Sequence, residues 1–394
     1  MNRKQFLILF LALIVLGGAG LALFWQDISD YRASGAKIGA KLLPGLKVGD
    51  VAQMQLRDAK SSVTLVRKDR WVVQERNGYP ADFKMISDLI IKLADLKVVQ
   101  ADSIGEALLP RVELLEPGKG EGAGTQVELK DAAGKTLANV VLGKKILKKD
   151  PGNPLPIAQD GVPAGRYVRT LGGKDRVVVV SDPLAIAEAQ PGRWLDKDFF
   201  KADRIRTLAV ANEGRTPWKI TRDVEWGQWK FAGGGGDLDP SAAVGAVNAL
   251  GNLTFSDVAL DAKPEQGSAS TTVTADTFDN LIYTLRIGKP KTGEDYLVGV
   301  SVSGEPPRER QPEKDEKAEQ KAQRDKDFAE SRKRLESRLA REKALAQWTY
   351  VVDAKQIAPL LKTREQMVAR RKQETDNGQP QAAGSKGKTG KGKR

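Results

Sequence analysis

Apolar positions follow three different rhythms along this chain, and each predicts a different kind of element. The first is continuous. From Phe6 to Trp25 every residue is apolar or small and none is charged; Arg3 and Lys4 precede the run, and Asp27 and Asp30 follow it. About 20 apolar residues at a helical rise span the ~30 Å core of a bilayer. The basic flank is expected to stay cytoplasmic, which places the rest of the chain outside. The run therefore predicts a transmembrane helix over 6–25, with a basic tip at 1–5 and a juxtamembrane linker at 26–47. Gly20, Leu21 and Ala22 form a small-x-small triplet that would suit a signal peptidase, but the apolar run continues through Leu23, Phe24 and Trp25. That length favours an uncleaved anchor.

The second rhythm is alternation. Residues 51–56 and 62–67 alternate as half-buried strands do, and Trp71, Val72 and Val73 form a third short strand. Asp82 then stands where a helix cap belongs. After it, Ile86, Leu89, Ile90, Leu93 and Leu96 recur at three- and four-residue steps, as on the buried stripe of a helix. A Gly-rich linker covers 115–124, and further strands are expected at 126–130, 138–142, 166–169 and 176–180.

The same order then returns. Residues 205–210 and 218–222 read as strands, Trp229 stands where Trp71 stood, and Asp239 replaces Asp82 before the stripe Val244, Val247, Leu250 and Leu253. Leu285 to Lys289 (LRIGK) echoes Val140 to Lys144 (VVLGK). The offset in the front half is about 155–160 residues, far longer than a solenoid repeat. These patterns predict an α+β fold: the N-terminal helix, then two tandem, internally duplicated sheet-plus-helix subdomains at 48–200 and 201–368. Trp71, Trp229, Trp194 and Trp348 are expected to be structural core, packing helix against sheet rather than stacking on a ligand.

The third rhythm is sparse. Residues 305–346 interrupt the second repeat and are dominated by Glu, Lys, Arg, Ala and Gln, all strong helix formers. Glu313 with Lys317, and Glu330 with Arg334, have favourable helical spacing. A long charged helix or helical hairpin is expected. Phe328, Leu335 and Leu339, with Ala346 in line, form a thin apolar seam near heptad spacing, as in a coiled coil, and the first three are candidates for contact with a partner. Residues 369–394 form a Lys- and Gly-rich tail expected to be disordered. Lys386, Lys388, Lys391, Lys393 and Arg394 have no nearby acid and are candidates for contact with anionic lipid.

Composition narrows the chemistry. The chain has 394 residues, no cysteine and no histidine. That excludes disulfides, thiol nucleophiles, Cys/His metal sites and every Ser-His or Cys-His catalytic arrangement. A net charge of +13 would ordinarily suggest nucleic acid, but a body held outside the cytoplasm points to lipid head groups or an acidic protein surface instead. Motif scans come close and fail. Gly134, Lys135 and Thr136 resemble the end of a phosphate loop, but Leu129 stands where its first glycine is needed; Gly387 to Thr389 fails in the same way at Ala382. Ser34 and Lys37 match a serine acyl-enzyme spacing without its partner motifs. No catalytic, cofactor-binding or metal-ligating residue is assigned.

A strand ending in Trp71, Val72 and Val73, then Tyr79-Pro80-Ala81-Asp82, then a helix closing on Leu93-Ala94-Asp95-Leu96, resembles the domain-of-unknown-function family 4340. So do Leu142-Gly143-Lys144, Tyr167-Val168-Arg169 and Trp194-Leu195-Asp196-Lys197. The resemblance covers about 48–303 and 347–368 and leaves out the charged insert and the tail. It implies a membrane-anchored extracytoplasmic protein associated with ABC-type transport systems of the gliding-motility auxiliary kind, and it carries no catalytic residues. The resulting expectation is a non-enzymatic accessory or binding protein, single-pass in the bacterial cytoplasmic membrane with its N-terminus inside. The alternatives are an envelope glycan hydrolase working through two carboxylates, and a structural assembly scaffold.

Overall fold

The alternating segments form antiparallel meanders, because each buries one face and leaves the other polar. In a computed structural model, the structure describes residues 38–102, 104–148, 161–173, 176–212, 215–264, 270–289, 293–310 and 316–369. The first unit contains β1 (Gln53–Arg57), β2 (Ser62–Arg67), β3 (Trp71–Val73), β4 (Tyr79–Pro80), helix α1 (Phe83–Asp95), β5 (Val98–Asp102), β6 (Thr125–Lys130), β7 (Thr136–Lys148), β8 (Val162–Thr170) and β9 (Arg176–Val180). The second contains β10 (Ile205–Asn212), β11 (Arg215–Thr221), β12 (Lys230–Phe231), helix α2 (Pro240–Gly251), β13 (Asp257–Ala259), β14 (Ser270–Thr277), β15 (Leu281–Gly288) and β16 (Tyr296–Gly304). It ends with helix α3 (Ala318–Lys343) and β17 (Thr349–Val352).

The two sheets have nine and eight strands, in the orders β4-β3-β2-β1-β6-β7-β8-β9-β5 and β12-β11-β10-β14-β15-β16-β17-β13. Apart from the extra edge strand β4, the connections are the same. In each unit a helix carries the chain from one edge of the sheet to the other, where β5 or β13 pairs with the last strand. Both helices start on an aspartate cap: Asp82 accepts from the Met85 amide at 3.0 Å, and Asp239 from the Ser241 and Ala242 amides at 2.8 and 3.2 Å. Each unit also ends by returning to its own helix start. Ala81 bridges Leu195, with the Asp82 amide on the Trp194 carbonyl at 2.8 Å. Leu238 bridges Val368, with the Asp239 amide on the Met367 carbonyl at 2.9 Å.

The expected α+β class is corrected by this architecture. Two large antiparallel sheets dominate the described residues, and only α1, α2 and α3 exceed one turn of α-helix there. The apolar stripes on α1 and α2 are real, but each sheet has eight or nine strands, so the helices cover sheets rather than share a layer with them. No helix among the described residues is long and apolar enough to cross a membrane. The expected membrane helix over 6–25 lies outside the described residues, as does the tail beyond Ala369. The coiled-coil reading of the insert is also corrected. Its long helix, α3, packs Leu335 and Leu339 on the chain's own body.

One apolar cluster runs through both units. It includes Met54, Leu56, Val63, Leu65, Ile86 and Leu89 from the first, and Leu208, Val273, Tyr283, Leu285, Tyr350 and Val352 from the second. Trp71 and Trp194 are buried in it; the Trp194 indole N–H donates to the Glu188 carbonyl at 2.7 Å. Trp229 and Trp348 are only half-buried and pack at its margin. Trp229 lies under the Arg222 guanidinium at 4.8 Å, and Trp348 meets Tyr79 edge-on at 4.9 Å.

Candidate functional site

Helix α3 is where the second unit departs most from the first. Leu339 is 7% exposed and belongs to the core, and Leu335 packs against it. Phe328 is half-buried and is not among the residues packed on that core. Two of the three seam positions therefore face the chain's own body. A buried polar contact fixes the same end of the helix. Glu342 is 1% exposed. It accepts from the Tyr283 hydroxyl at 2.8 Å, from Arg338 Nε at 2.9 Å and from the Lys201 amide at 3.2 Å. Arg338 also donates to Asp203 at 3.2 Å and to the Tyr283 hydroxyl at 2.9 Å. Burial, followed by the nearby Glu342 charge, pushes the Tyr283 phenol well above its ordinary range, so it stays a neutral donor.

With the inner side fastened, the outer side of α3 is a charged ridge. Glu330, Lys333, Arg334, Ser337, Arg338 and Arg341 line a shallow groove of about 490 Å³. Arg332 pairs with Glu336 along the helix and Arg341 with Asp198 below it. No ion pair engages Lys333 or Arg334 among the described residues. Ahead of the helix, Glu316 accepts from Arg310 at 2.7 Å and from Arg324 at 3.1 Å, tying the entering chain to the helix's first turns.

The two units are clasped where the short turn after β3 meets β13. Arg76 reaches Asp257 through two charge-assisted bonds, Nε to Oδ1 at 2.7 Å and Nη2 to Oδ2 at 2.6 Å. Beside it, Lys197 Nζ donates to the Ser256 carbonyl at 2.8 Å and sits 4.4 Å above the Phe255 ring. Burial lowers the Lys197 ammonium to about 8, against the raising influence of Asp257.

A separate recess of about 560 Å³ lies on the second sheet. Its floor is Thr284, Arg286, Gly299 and Ser301 of β15 and β16; Lys263 with Pro264 and Gln347 with Trp348 stand at its sides. Among the described residues, no group of three or more acidic side chains is placed to hold a metal ion. The tail cations Lys386, Lys388, Lys391, Lys393 and Arg394 lie outside the described residues.

Sequence reasoning missed Glu342, Arg338, Tyr283 and the recess. A glutamate inside a charged helix carries no mark of burial, and the recess draws its residues from four separate segments. Trp226, 91% exposed beside the 63% exposed Val224, was equally silent.

The profile described as "Domain of unknown function (DUF4340)" matches residues 71–272. The match runs from β3 to within β14 and so takes in parts of both units. No curated protein and no solved structure matches the chain. With its profile covering just over half of the sequence, the chain belongs to the domain-of-unknown-function family DUF4340.

Proposed function

We propose that this protein is a non-enzymatic accessory subunit that uses α3 to dock on a partner held at the same membrane. The apolar run 6–25 serves as the tether, with the body on the outer side of the bacterial cytoplasmic membrane. The partner class follows the resemblance drawn from the sequence: an ABC-type transport complex. The observation that carries the reading is the two-sidedness of α3. Its inner side is fixed by Leu339 and the buried Glu342, while Lys333 and Arg334 stand on an outer ridge. A helix held rigidly with its charges outward has little conformational freedom left to lose on binding. Tethering raises the effective concentration of an acidic partner surface, so a modest interface suffices.

The test is co-purification of the tagged full chain from native membranes, comparing wild type with the charge-reversed pair Lys333→Glu and Arg334→Glu. The expected result is a membrane partner retained by wild type and lost from the variant, with the thermal unfolding midpoint unchanged. Equal recovery of partners by both proteins would remove α3 as the docking element.

A further inference from the structure

The described chain enters the first unit along the edge strand β5. Residues 39–42 run antiparallel beside 96–98: the Gly39 amide donates to the Val98 carbonyl at 2.8 Å, the Val98 amide to that of Ala40 at 3.0 Å, and the Leu42 amide to that of Leu96 at 2.8 Å. This register sets Lys41 directly opposite Lys97. Like charges placed so cost stability. The carboxylate that acts on both, Asp95 at the end of α1, is held by Lys41 at 2.7 Å. The entry segment is thereby joined to the outer side of α1. On this surface Ile38, Phe83, Ile91 and Val99 are 57%, 65%, 45% and 46% exposed.

The second unit builds the same elements without such a surface. Aligned on the caps Asp82 and Asp239, residues 83–99 match 240–256. Phe83, Ile91 and Val99 become Pro240, Asn248 and Ser256, which are exposed as well. Lys84, Lys92 and Lys97 become Ser241, Ala249 and Thr254, and Asp88 and Asp95 become Gly245 and Asn252. The second copy therefore has no charge anywhere in this stretch, and its one strongly exposed apolar side chain is Val244, in the place of Ser87. In the first copy Lys92 pairs with Asp182 at 3.1 Å. Neither Lys84 nor Lys97 is held in an ion pair among the described residues. Ile38 lies at the β5 edge of the first sheet, while the junction with the second unit forms beyond the opposite edge, after β3.

We infer that this face of the first unit, the outer side of α1 with the entry segment, rests on the surface of the lipid bilayer. The inference depends on the tether proposed over 6–25 and involves no part of α3. Twelve residues, 26–37, separate Trp25 from Ile38. Twelve residues reach at most about 40–45 Å even when fully extended. So short a leash brings the entry end of the body to the bilayer at high effective concentration, and a weak contact there is enough. The chemistry of the face fits the boundary between head groups and acyl chains. Exposed apolar side chains enter that boundary, while lysine stems cover apolar surface and carry their ammonium groups to the lipid phosphates. The second copy, beyond the junction from the leash, has Pro, Ser, Asn and Thr at the matching exposed positions.

The test reconstitutes the full chain in vesicles of phosphatidylethanolamine and phosphatidylglycerol that carry a nitroxide-labelled lipid as quencher. The chain has no cysteine, so one fluorophore at a time can be placed through Ile91→Cys, Val99→Cys, Asn248→Cys or Ile282→Cys. Extraction with alkaline carbonate first reads whether the chain stays with the lipid. The expected result is a retained chain whose fluorophores at 91 and 99 are quenched about threefold or more above those at 248 and 282. The pair Phe83→Glu and Ile91→Glu is expected to lower quenching at 99 by about half, with the chain still retained and the unfolding midpoint unchanged. Should a variant misfold, carbene labelling of the unsubstituted chain by a diazirine lipid decides: labels are expected within 38–47 and 83–99 and not within 240–256. Release of the chain by carbonate would remove the tether and this face together. A retained chain with equal quenching at all four positions would overturn the face and leave the tether standing. So would full quenching at 99 in the folded glutamate pair, or carbene labels absent from the face.

Discussion

Arg76 and Asp257 are separated by 181 residues in the chain and joined by two short parallel hydrogen bonds. Neither belongs to the meander of its own sheet centre. Arg76 sits in the turn after β3, and Asp257 opens the edge strand β13. Both side chains are mostly shielded, at 18% and 31% exposure, so the pair is worth more than a surface ion pair. Its guanidinium is held above its ordinary range, first by the hydrogen bond to Asp257. Arg76→Ala and Asp257→Ala are each expected to cost about 1.5–3 kcal/mol. A double-mutant cycle by urea unfolding is expected to return a coupling above about 1 kcal/mol. Additive single effects would show that the clasp does not join the units.

The insert is fastened through one end. Leu339→Ala removes a core side chain and is expected to cost about 2–5 kcal/mol. Phe328→Ala, at a half-buried position off that core, is expected to cost less than about 1 kcal/mol. Chemical denaturation of the two variants distinguishes this arrangement from a free helix, in which both would be nearly silent.

Glu342→Ala leaves the Tyr283 hydroxyl and Arg338 without their buried acceptor. The expected loss is about 1–3 kcal/mol, because the buried Tyr283 hydroxyl and the Lys201 amide lose their acceptor while Arg338 keeps Asp203. Hydrogen exchange in the last turns of α3 is expected to accelerate well before β14 and β15 lose protection. Unchanged exchange there would mean the contact does not hold the helix.

Lys197 gives the junction a pH dependence. Its ammonium is lowered to about 8 from the ordinary 10.5, with Asp257 and Arg193 the charged neighbours. Between those values the folded state has released a proton that the unfolded state keeps, so stability rises with pH. Below about pH 8 both states are charged and the contribution is flat. Wild type measured against Lys197→Met by urea unfolding is therefore expected to gain stability between pH 8 and 10. A difference that stays constant across that window would show that burial does not perturb this group.

How much of this was legible in the sequence depends on whether the signal was local. The strands at 62–67 and 71–73 and the stripe Ile86, Leu89, Ile90 and Leu93 were readable, because burial on one face sets the period. The recurring glycine of Leu142-Gly143-Lys144 and Ile287-Gly288-Lys289 was visible as a motif, but not its cause, since the crossing backbones of Val112 and Pro264 are distant in sequence. The balance of sheet against helix was misjudged because the long sheets arise from pairing among short strands, which no single window reports. The seam on α3 was seen as apolar, but spacing alone does not say whether Leu339 meets a partner or the chain's own sheet.

Deleting residues 305–346 would be a poor test of docking, since Leu339, Glu342 and Leu345 belong to the folded body. The direct measurement is photo-cross-linking in intact cells, with the photoreactive residue placed at Lys333 or Arg334 on the ridge and at Ile282, exposed on β15, as control. A single discrete adduct from positions 333 and 334, absent from 282, is the expected result. Adducts equally abundant from all three positions, or none from the ridge, would contradict a docking role for α3.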